Sequence, residues 1–327
     1  MQRRADIERL ASELARGQTV ALSTHINSDG DGCGSEVALA RLLDQMGIGS
    51  HVVNPTPWPE RLAFLLGDDV RDRSSEGAAA LATIDRMIVL DISDVGRLGA
   101  LAPAVRGLAV PPMVIDHHPP GEEPPGTIHL TDTAACATGE LVYDFAVTLG
   151  LAITPEIATA LYVAILTDTG GFRFSNTSPR CHAVAARLLA AGVDPDEMYR
   201  RIYASVPLGR LRLLRDALET LEVDDTKGLA WISVAAGALE KYAVSGEDLE
   251  GIAEYPRSVC GVKLAVLFRD LGHGKVKISF RSVLGVDANA LARRFGGGGH
   301  ARASGALVSG TLEEVRGKVL TAAREML

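Results

Sequence analysis

The sequence predicts an α/β protein in which an N-terminal domain with a parallel sheet is joined by a helical connector to a smaller mixed-sheet α/β domain. Over residues 1–194, short apolar runs alternate with stretches of helical periodicity, a pattern typical of βαβ units around a parallel sheet. From residue 229 onwards, period-two runs replace that pattern and predict a second sheet. We therefore expect domains at residues 1–194 and 226–327, with the connector at 195–225.

In the first domain, strands are expected at apolar runs over residues 19–22, 87–90 and 113–115. A helix should follow the first run, because apolar residues recur there at helical spacing: Leu39, Leu42, Leu43 and Met46. The second and third runs end abruptly in Asp91 and in Asp116-His117-His118. We expect each run to be a buried strand whose C-terminal end carries these polar groups.

Further elements follow along the chain. A loop rich in proline, glycine and glutamate covers residues 119–126, and a helix from Pro155 is predicted to stop near Asp168. The next helix ends at Gly192. The connector is expected to be helical because its leucines are spaced as on one helix face: Leu211, Leu214, Leu218 and Leu221.

Three strands are predicted in the second domain, over residues 229–234, 262–268 and 276–282. In the last of these, apolar and polar residues alternate, which places Lys277 and Arg281 on the face opposite the core. A helix over residues 287–295 then runs into four consecutive glycines and His300.

Composition and charge restrict the setting and the partners. Of the 327 residues, 47% are hydrophobic and 23% charged, which suits a protein with two buried cores. No apolar run reaches the ~18 residues of a bilayer span, so we expect a cytoplasmic protein without a membrane partner. Its four scattered cysteines should be reduced. A net charge of −8 has the wrong sign for coating a long nucleic-acid duplex, so a nucleic-acid substrate should be short.

The segment after the first strand carries His25, Asp29 and Asp31. We expect it to be extended, so that the two carboxylates point the same way and each holds one of two metals, with His25 completing the first. The glycines in and just after this segment, Gly30, Gly32 and Gly34, are expected to turn the backbone sharply. An Asx turn explains the same D-G-D-G pattern, and this segment alone leaves both interpretations open.

Metal binding is favoured by a coincidence of positions. Three strands and one helix are expected to end in acidic or imidazole side chains: His25, Asp29 and Asp31; Asp91; Asp116, His117 and His118; and Asp168. Such ligands without cysteine favour Mn²⁺, with Mg²⁺, Co²⁺ or Zn²⁺ as alternatives. Two such ions would activate a bridging water for in-line displacement at phosphorus.

The order of these motifs, H-x-x-x-D-x-D, then D, then DHH, then a later D, resembles the DHH phosphoesterase family. The glycine run before His300 resembles the glycine-rich signature of that family's associated C-terminal domain. The resemblance implies two metal sites: His25 and Asp29 would bind one ion, Asp31, His117 and Asp168 the other, and Asp91 would bridge them.

The resemblance also implies roles for neighbouring residues. Asp116 would orient a histidine through its ring N–H. His118 would contact the phosphate or, as a general acid, protonate the leaving oxygen. Arg97 matches a recurrent family position and would bind substrate, although an ion pair at a helix start explains it equally well.

Substrate-binding residues are also expected in the second domain: Arg281, Ser282, Gly296, Gly297, Gly298, Gly299 and His300. Four consecutive glycines exceed what a helix C-cap needs. They are better explained by backbone amides that approach a phosphate or base closely. A flexible hinge is the alternative.

The expected function is metal-dependent hydrolysis of short oligoribonucleotides or linear dinucleotides to 5′-mononucleotides, as in nanoRNases, with the 3′-phosphate of pAp as a further substrate. A cyclic-dinucleotide phosphodiesterase is the first alternative. A RecJ-like single-strand exonuclease, a family-II inorganic pyrophosphatase and a non-catalytic nucleotide sensor are the others. The sequence leaves open the choice among short substrates and the oligomeric state, for which a homodimer is one option.

Overall fold

The computed structural model of the chain describes residues 2–249, 251–283 and 285–327. The chain divides into two compact units, Met1–Ala204 and Ser205–Leu327. The division falls within the expected connector at residues 195–225. None of the helices in the described ranges combines the length and the apolar character needed to cross a membrane.

The described residues of the first unit form a five-stranded sheet with helices around it. Its strands are β1 (Thr19–Ser23), β2 (Gly49–Val52), β3 (Arg86–Leu90), β4 (Met113–Asp116) and β5 (Ile128–Thr131). Its α-helices are α1 (Gln2–Ser12), α2 (Gly30–Gln45), α3 (Ala102–Arg106), α4 (Thr138–Leu149), α5 (Pro155–Asp168), α6 (Pro179–Ala190) and α7 (Pro195–Tyr203). Short 3-10 helices cover Glu60–Leu65, Ser74–Leu81 and Val95–Leu101.

The sheet of the first unit is parallel throughout, in the order β2-β1-β3-β4-β5. Its central strands are apolar because helices and loops cover both faces: Ile88 belongs to one core cluster and Val89 to the cluster on the other face. The predicted parallel sheet is confirmed. Parallel strands bring their carboxyl ends to one edge, where Asp91 and Asp116 lie.

The start of α2 differs from the expectation. The helix begins at Gly30 with Asp29 as its N-cap, so Asp31 lies in the first helical turn and not in an extended stretch. The helix can start this early because its glycines allow close packing: a Cβ on Gly34 would lie 2.4 Å from the carbonyl oxygen of Ala160 in α5. Gly30 and Gly34 therefore serve helix packing, and the predicted sharp turn is wrong.

The second unit is built around a six-stranded mixed sheet in its described residues. Its strands are β6 (Glu222–Asp224), β7 (Leu229–Val234), β8 (Leu264–Asp270), β9 (Lys275–Ser282), β10 (Gly298–His300) and β11 (Ala303–Ser309). Its helices are α8 (Leu208–Leu218), α9 (Ala238–Tyr242), α10 (Glu254–Arg257), α11 (Ala288–Arg293) and α12 (Leu312–Met326), with a 3-10 turn at Glu247–Leu249.

The sheet order in the second unit is β10-β11-β9-β8-β7-β6, in which only the β7–β8 pair is parallel among the described strands. The predicted mixed sheet is thus confirmed. The alternation predicted for β9 is also present, since Val276 and Ile278 are fully buried while Lys277 is exposed. The face that carries Arg281 is opposite the core, as expected.

Candidate metal centre

The residues expected to bind metal converge at the carboxyl edge of the parallel sheet. His25 and Asp29 follow β1, Asp91 follows β3, and His117 follows β4. Asp31 comes from the first turn of α2, and Asp168 is the last residue of α5. Three sets of residues each bring their ligand atoms within 4.8 Å of one another. They are His25, Asp29 and Asp91; Asp31, His117 and Asp168; and Asp91, His117 and His118.

Asp91 stands between two histidines. Its Oδ2 lies 3.4 Å from Nε2 of His25, and its Oδ1 lies 3.6 Å from Nε2 of His117. His25 is also 3.7 Å from Asp29, and His117 is 3.7 Å from both Asp31 and Asp168. One carboxylate therefore presents an oxygen to each of two ligand groups.

The backbone at Asp91 is unusual. Its φ is +61°, a left-handed conformation that costs a non-glycine residue energy. The conformation is held by a 3.0 Å hydrogen bond from its backbone N–H to the carbonyl oxygen of Ile115 in β4. In this conformation the side chain of Asp91 faces His25 and His117.

The histidines are oriented as metal ligands usually are. Nδ1 of His25 lies 2.9 Å from the carbonyl oxygen of Ile26, and Nδ1 of His117 lies 3.3 Å from that of Ala135. With Nδ1–H donated to these carbonyls, each Nε2 keeps its lone pair for a cation. The buried Nε2 of His117 makes no hydrogen bond with any described residue, so the donor set fits a metal ion.

Asp31 is held by the start of α4. Its two oxygens accept hydrogen bonds from the backbone N–H groups of Thr138, at 2.7 Å, and of Gly139, at 2.9 Å. The hydroxyl of Thr138 donates to Asp91 at 3.0 Å, so one residue positions both carboxylates. A helix N-terminus favours negative charge there, which stabilises the ionised form of Asp31.

The buried carboxylates of the cluster repel one another, and a bound cation would relieve that repulsion. Burial, together with the charges of Asp91 and Asp168, raises the pKa of Asp31 well above its usual range. Burial and neighbouring carboxylates also raise the pKa of Asp168 to about 6. Burial alone would lower the pKa of His25, but Asp29 and Asp91 outweigh it and raise the pKa to about 10. Protons and a divalent cation would compete for these atoms.

Asp116 contacts a histidine, as expected. This histidine is His118, and not one of the two proposed metal ligands His25 and His117. Its Oδ1 lies 2.8 Å from Nδ1 of His118. Although burial lowers the pKa of His118, this carboxylate and Asp91 raise it above its ordinary value. The raised pKa favours the protonated ring, the form that can act as a proton donor.

Arg97 lies in the 3-10 helix Val95–Leu101, and its carbonyl oxygen accepts the backbone N–H of Ile26. Its guanidinium has no ion-pair partner within the described ranges, so the alternative of a helix-start ion pair is not present. Its charge lowers the pKa of His118, so Arg97 lies close enough to the candidate ligand cluster to influence its electrostatics.

In the second unit, two of the expected substrate-binding side chains have partners of their own. Nε of Arg281 lies 3.2 Å from a carboxylate oxygen of Glu254. Ser282 is buried, and its hydroxyl is 2.7 Å from the carbonyl oxygen of Val286, so it stabilises the turn after β9. His300 belongs to β10, but its side chain lies outside the described part of the structure.

The glycine run is largely explained by the fold. A Cβ on Gly297 would lie 2.0 Å from the carbonyl oxygen of Gly305, and one on Gly299 would lie 2.7 Å from that of Ala303. Gly296 has a φ of +71°, as a helix C-cap requires. Gly298 differs, since its Cβ would meet no atom closer than 4.0 Å among the described residues.

Comparison with known proteins identifies the family. Residues 19–165 match the DHH family, N-terminal domain, and residues 232–327 match the DHHA1 domain. A Thermus thermophilus protein named bifunctional oligoribonuclease and PAP phosphatase NrnA is 35% identical over 98% of this chain and 94% of its own length. The chain belongs to the DHH family of phosphoesterases.

Other known proteins are similar over most of this chain. The Bacillus subtilis protein named bifunctional oligoribonuclease and PAP phosphatase NrnA is 27% identical over 89% of both chains. A crystal structure of an exopolyphosphatase-related protein from Bacteroides fragilis matches with a TM-score of 0.91 and 28% identity, covering 98% of this chain and 96% of that one. RecJ from Thermus thermophilus, solved with Mn²⁺, shares the fold at 15% identity, with a TM-score of 0.57 over 99% of this chain and 54% of its own.

Several residues that support this DHH centre were not anticipated from the sequence. Thr138 carries no local signal, because its contacts are with residues far away in the chain. Asn176 donates to the side chain of Asp168 at 2.9 Å. Glu36 is fully buried beside Asn54, which holds the backbone N–H of Thr24. Its spacing from Leu39 and Leu43, at i, i+3 and i+7, was a signal that could have placed it on the buried face of α2.

Proposed function

We propose that this protein is a metal-dependent phosphodiesterase that hydrolyses short oligoribonucleotides or linear dinucleotides to 5′-mononucleotides and removes the 3′-phosphate of pAp. The observation that carries the proposal is the position of Asp91, whose two oxygens face His25 and His117 in separate ligand groups. The name of the Thermus thermophilus relative supports the substrate class.

Two divalent metals fit this centre. His25 and Asp29 would hold one ion, Asp31, His117 and Asp168 the other, and Asp91 would bridge them. The mixed imidazole and carboxylate donors support Mn²⁺ as the native metal. When bound, such a pair of ions lowers the pKa of water and neutralises charge that develops on the phosphate oxygens.

The chain's own residues complete the chemistry. Hydrolysis forms a bond from water oxygen to phosphorus and breaks the bond from phosphorus to the leaving oxygen, which must gain a proton. His118 is the proposed donor of that proton, because Asp116 orients its ring through a 2.8 Å contact with Nδ1 and favours its protonated form. Arg97, free of an ion pair with any described residue, is the proposed contact for a phosphate oxygen.

The second unit is proposed to bind a remote part of the substrate through Gly298, His300 and Arg281. Gly298 supports this because nothing in the described fold requires a glycine there. Its missing side chain would let a phosphate approach the backbone amide. The sequence features given above support a cytoplasmic setting for this activity.

Product analysis tests the proposed function. The protein loaded with Mn²⁺ would be incubated separately with pApA, pAp, cyclic di-AMP and pyrophosphate, and the products separated by chromatography. We expect AMP from pApA and AMP plus phosphate from pAp. Turnover of cyclic di-AMP alone would favour the cyclic-dinucleotide phosphodiesterase, and turnover of pyrophosphate alone would favour a pyrophosphatase.

Two adjacent substitutions separate ligand from proton donor. His117→Ala removes a ligand and should lower the bound metal per chain. His118→Ala should leave the metal content near normal and lower kcat by ~10²–10⁴-fold, as loss of a general acid does. Metal analysis and steady-state kinetics on the same preparations would measure both effects. Equal metal loss in the two variants would contradict the division of roles.

A further inference from the structure

A cavity of about 490 Å³ adjoins His118 in the first unit. Its floor is the face of the sheet formed by Val114 and Asp116 in β4 and by His129 and Thr131 in β5. These four residues pair directly across the strands, Val114 with His129 and Asp116 with Thr131, so their side chains share one face. The metal cluster and the cavity therefore meet at Asp116 and His118.

The proline-rich loop at residues 119–126 also lines the cavity, through Pro120, Pro124 and Pro125. The loop is fixed by contacts of its Glu123. The backbone N–H of Glu123 donates to Asp94 at 3.0 Å, and its carboxylate makes a paired contact with Arg106 at 2.7 Å. The cavity is therefore preformed, because this wall is tied to the neighbouring 3-10 helix and to α3.

Two polar groups in the cavity have no partner among the described residues. Oδ2 of Asp116 is buried and accepts no hydrogen bond. The half-buried ring of His129 makes no hydrogen bond with any described residue. A cavity lined by a free acceptor, an imidazole and apolar prolines matches the chemistry of a nucleoside, which has apolar base faces, polar base edges and ribose hydroxyl donors.

The position beside His118 indicates which nucleoside would bind. If a phosphodiester is hydrolysed to a 5′-mononucleotide, the bond that breaks joins phosphorus to a 3′-oxygen. The same type of bond breaks when pAp loses its 3′-phosphate. In both reactions water supplies the new oxygen on phosphorus, and the departing 3′-oxygen gains a proton. The group that leaves is thus a nucleoside, and this cavity adjoins the cluster of Asp91, His117 and His118, at which that bond would break.

We propose that this cavity is the binding site for the nucleoside whose 3′-oxygen leaves, with the prolines against the base and Asp116 and His129 as hydrogen-bond partners. The proposal rests on the proposed function and names the residues that select its substrate. It also explains how one centre would accept both an oligoribonucleotide and pAp, because the leaving nucleoside is the part that the two substrates share.

Thr131→Phe tests this by filling the cavity from β5. Thr127→Phe is the matched control, because Thr127 is exposed just before β5 and does not line the cavity. For each metal-loaded protein, kcat/KM would be measured on pAp, on pApA and on bis-p-nitrophenyl phosphate, which has no nucleoside. We expect Thr131→Phe to lower the ratio of kcat/KM for either nucleotide to that for the small ester by roughly 10- to 100-fold. His129→Ala should lower it less, and Thr127→Phe should not change it.

Binding of AMP, measured by calorimetry, separates this proposal from the proposed function. Thr131→Phe should raise the Kd of AMP by a similar factor, and Thr127→Phe should not. If wild-type protein cleaves neither nucleotide while this difference in AMP binding holds, the proposed function fails and the nucleoside site stands. Unchanged nucleotide ratios and unchanged AMP binding in Thr131→Phe would overturn the site, as would equal losses on nucleotides and ester.

Discussion

Asp91 combines a strained backbone with a central position between the two ligand groups. Strain of this kind persists only when surrounding contacts hold it, here the hydrogen bond from its N–H to Ile115 and the hydroxyl of Thr138 on its side chain. The sequence indicated the residue but not the left-handed conformation. That conformation depends on a neighbouring strand, which no local pattern reports.

Replacing Asp91 by asparagine should abolish most turnover without unfolding the protein. Asparagine tolerates a positive φ and keeps the shape of the side chain, but it loses the charge that would neutralise two cations. Because residues that only support metal ligands cost 10–100-fold when removed, a bridging ligand should cost at least ~100-fold in kcat/KM. Kinetics and metal analysis would measure this, with circular dichroism as the control for folding. Wild-type turnover with two metals bound would contradict the bridge.

Glu36 is a second residue whose charge state matters. Burial raises its pKa from the ordinary 4.5 to about 8, and its one hydrogen-bond donor among the described residues is Asn54 at 2.9 Å. Between these two pH values the carboxyl is neutral in the folded protein and ionised in the unfolded chain. The stability that this group provides is therefore full below pH 4.5 and is lost progressively as the pH rises towards 8.

Glu36→Gln should remove this pH dependence, because glutamine mimics the neutral carboxyl and keeps an acceptor for Asn54. Relative to wild type, the variant should gain free energy of unfolding as the pH rises from 4.5 to 8, reaching about 5 kcal/mol near pH 8. Urea unfolding at several pH values, with EDTA present, would measure it. Glu60→Gln, on an exposed glutamate, is the control and should show no such gain. Parallel curves for Glu36→Gln and wild type would mean that Glu36 is ionised when folded.

At the scale of elements, the sequence predicted the parallel sheet and the polar groups after β1, β3 and β4, because both follow from patterns along a single segment. It did not predict β5 or α4. β5 has four residues at the edge of the sheet, and only Leu130 among them is buried, so its apolar signal is weak. The hydrogen bonds from the start of α4 to Asp31 join residues more than 100 positions apart, and no periodicity in the sequence indicates such a contact.

The role of a glycine is equally hard to predict from the sequence alone. The sequence explained Gly34 by backbone freedom and the run at residues 296–299 by ligand binding. The structure explains Gly34 by contact with α5, and Gly297 and Gly299 by contact with β11. Each explanation depends on which element lies opposite, and that is decided only by the tertiary fold.

Gly34→Ala tests the close packing of α2 on α5. The added methyl group would meet the carbonyl oxygen of Ala160 at 2.4 Å, which the two helices can relieve only by moving apart. We expect a loss of about 1–3 kcal/mol in the free energy of unfolding, as overpacked cores show.

Gly317→Ala in α12 is the matched control, since nothing described lies within 4 Å of its new Cβ. It should gain about 0.5–1 kcal/mol because alanine favours a helix. Chemical denaturation would measure both, and equal signs would contradict the packing argument.

At the scale of the whole molecule, the proposed function assigns metal binding to the first unit and binding of a remote part of the substrate to the second. Each unit has its own buried core, so substitutions in one need not disturb the fold of the other. Arg281 is a suitable probe, because it lies on the polar face of β9 and belongs to a different unit from every proposed metal ligand.

Arg281→Ala should lower kcat/KM for pApA relative to bis-p-nitrophenyl phosphate while the metal content stays constant. A hydrogen bond to a charged group contributes about 1.5–3 kcal/mol, so the ratio should fall by about 10- to 100-fold. Part of the loss should be in kcat, because remote binding energy can position the scissile phosphate.

Lys277→Ala is the matched control, a basic residue on the same face of β9, and should change the ratio little. His300→Ala should behave as Arg281→Ala does. Equal losses on both substrates would mean that Arg281 stabilises its unit through Glu254, 3.2 Å away, and that the substrate is bound elsewhere.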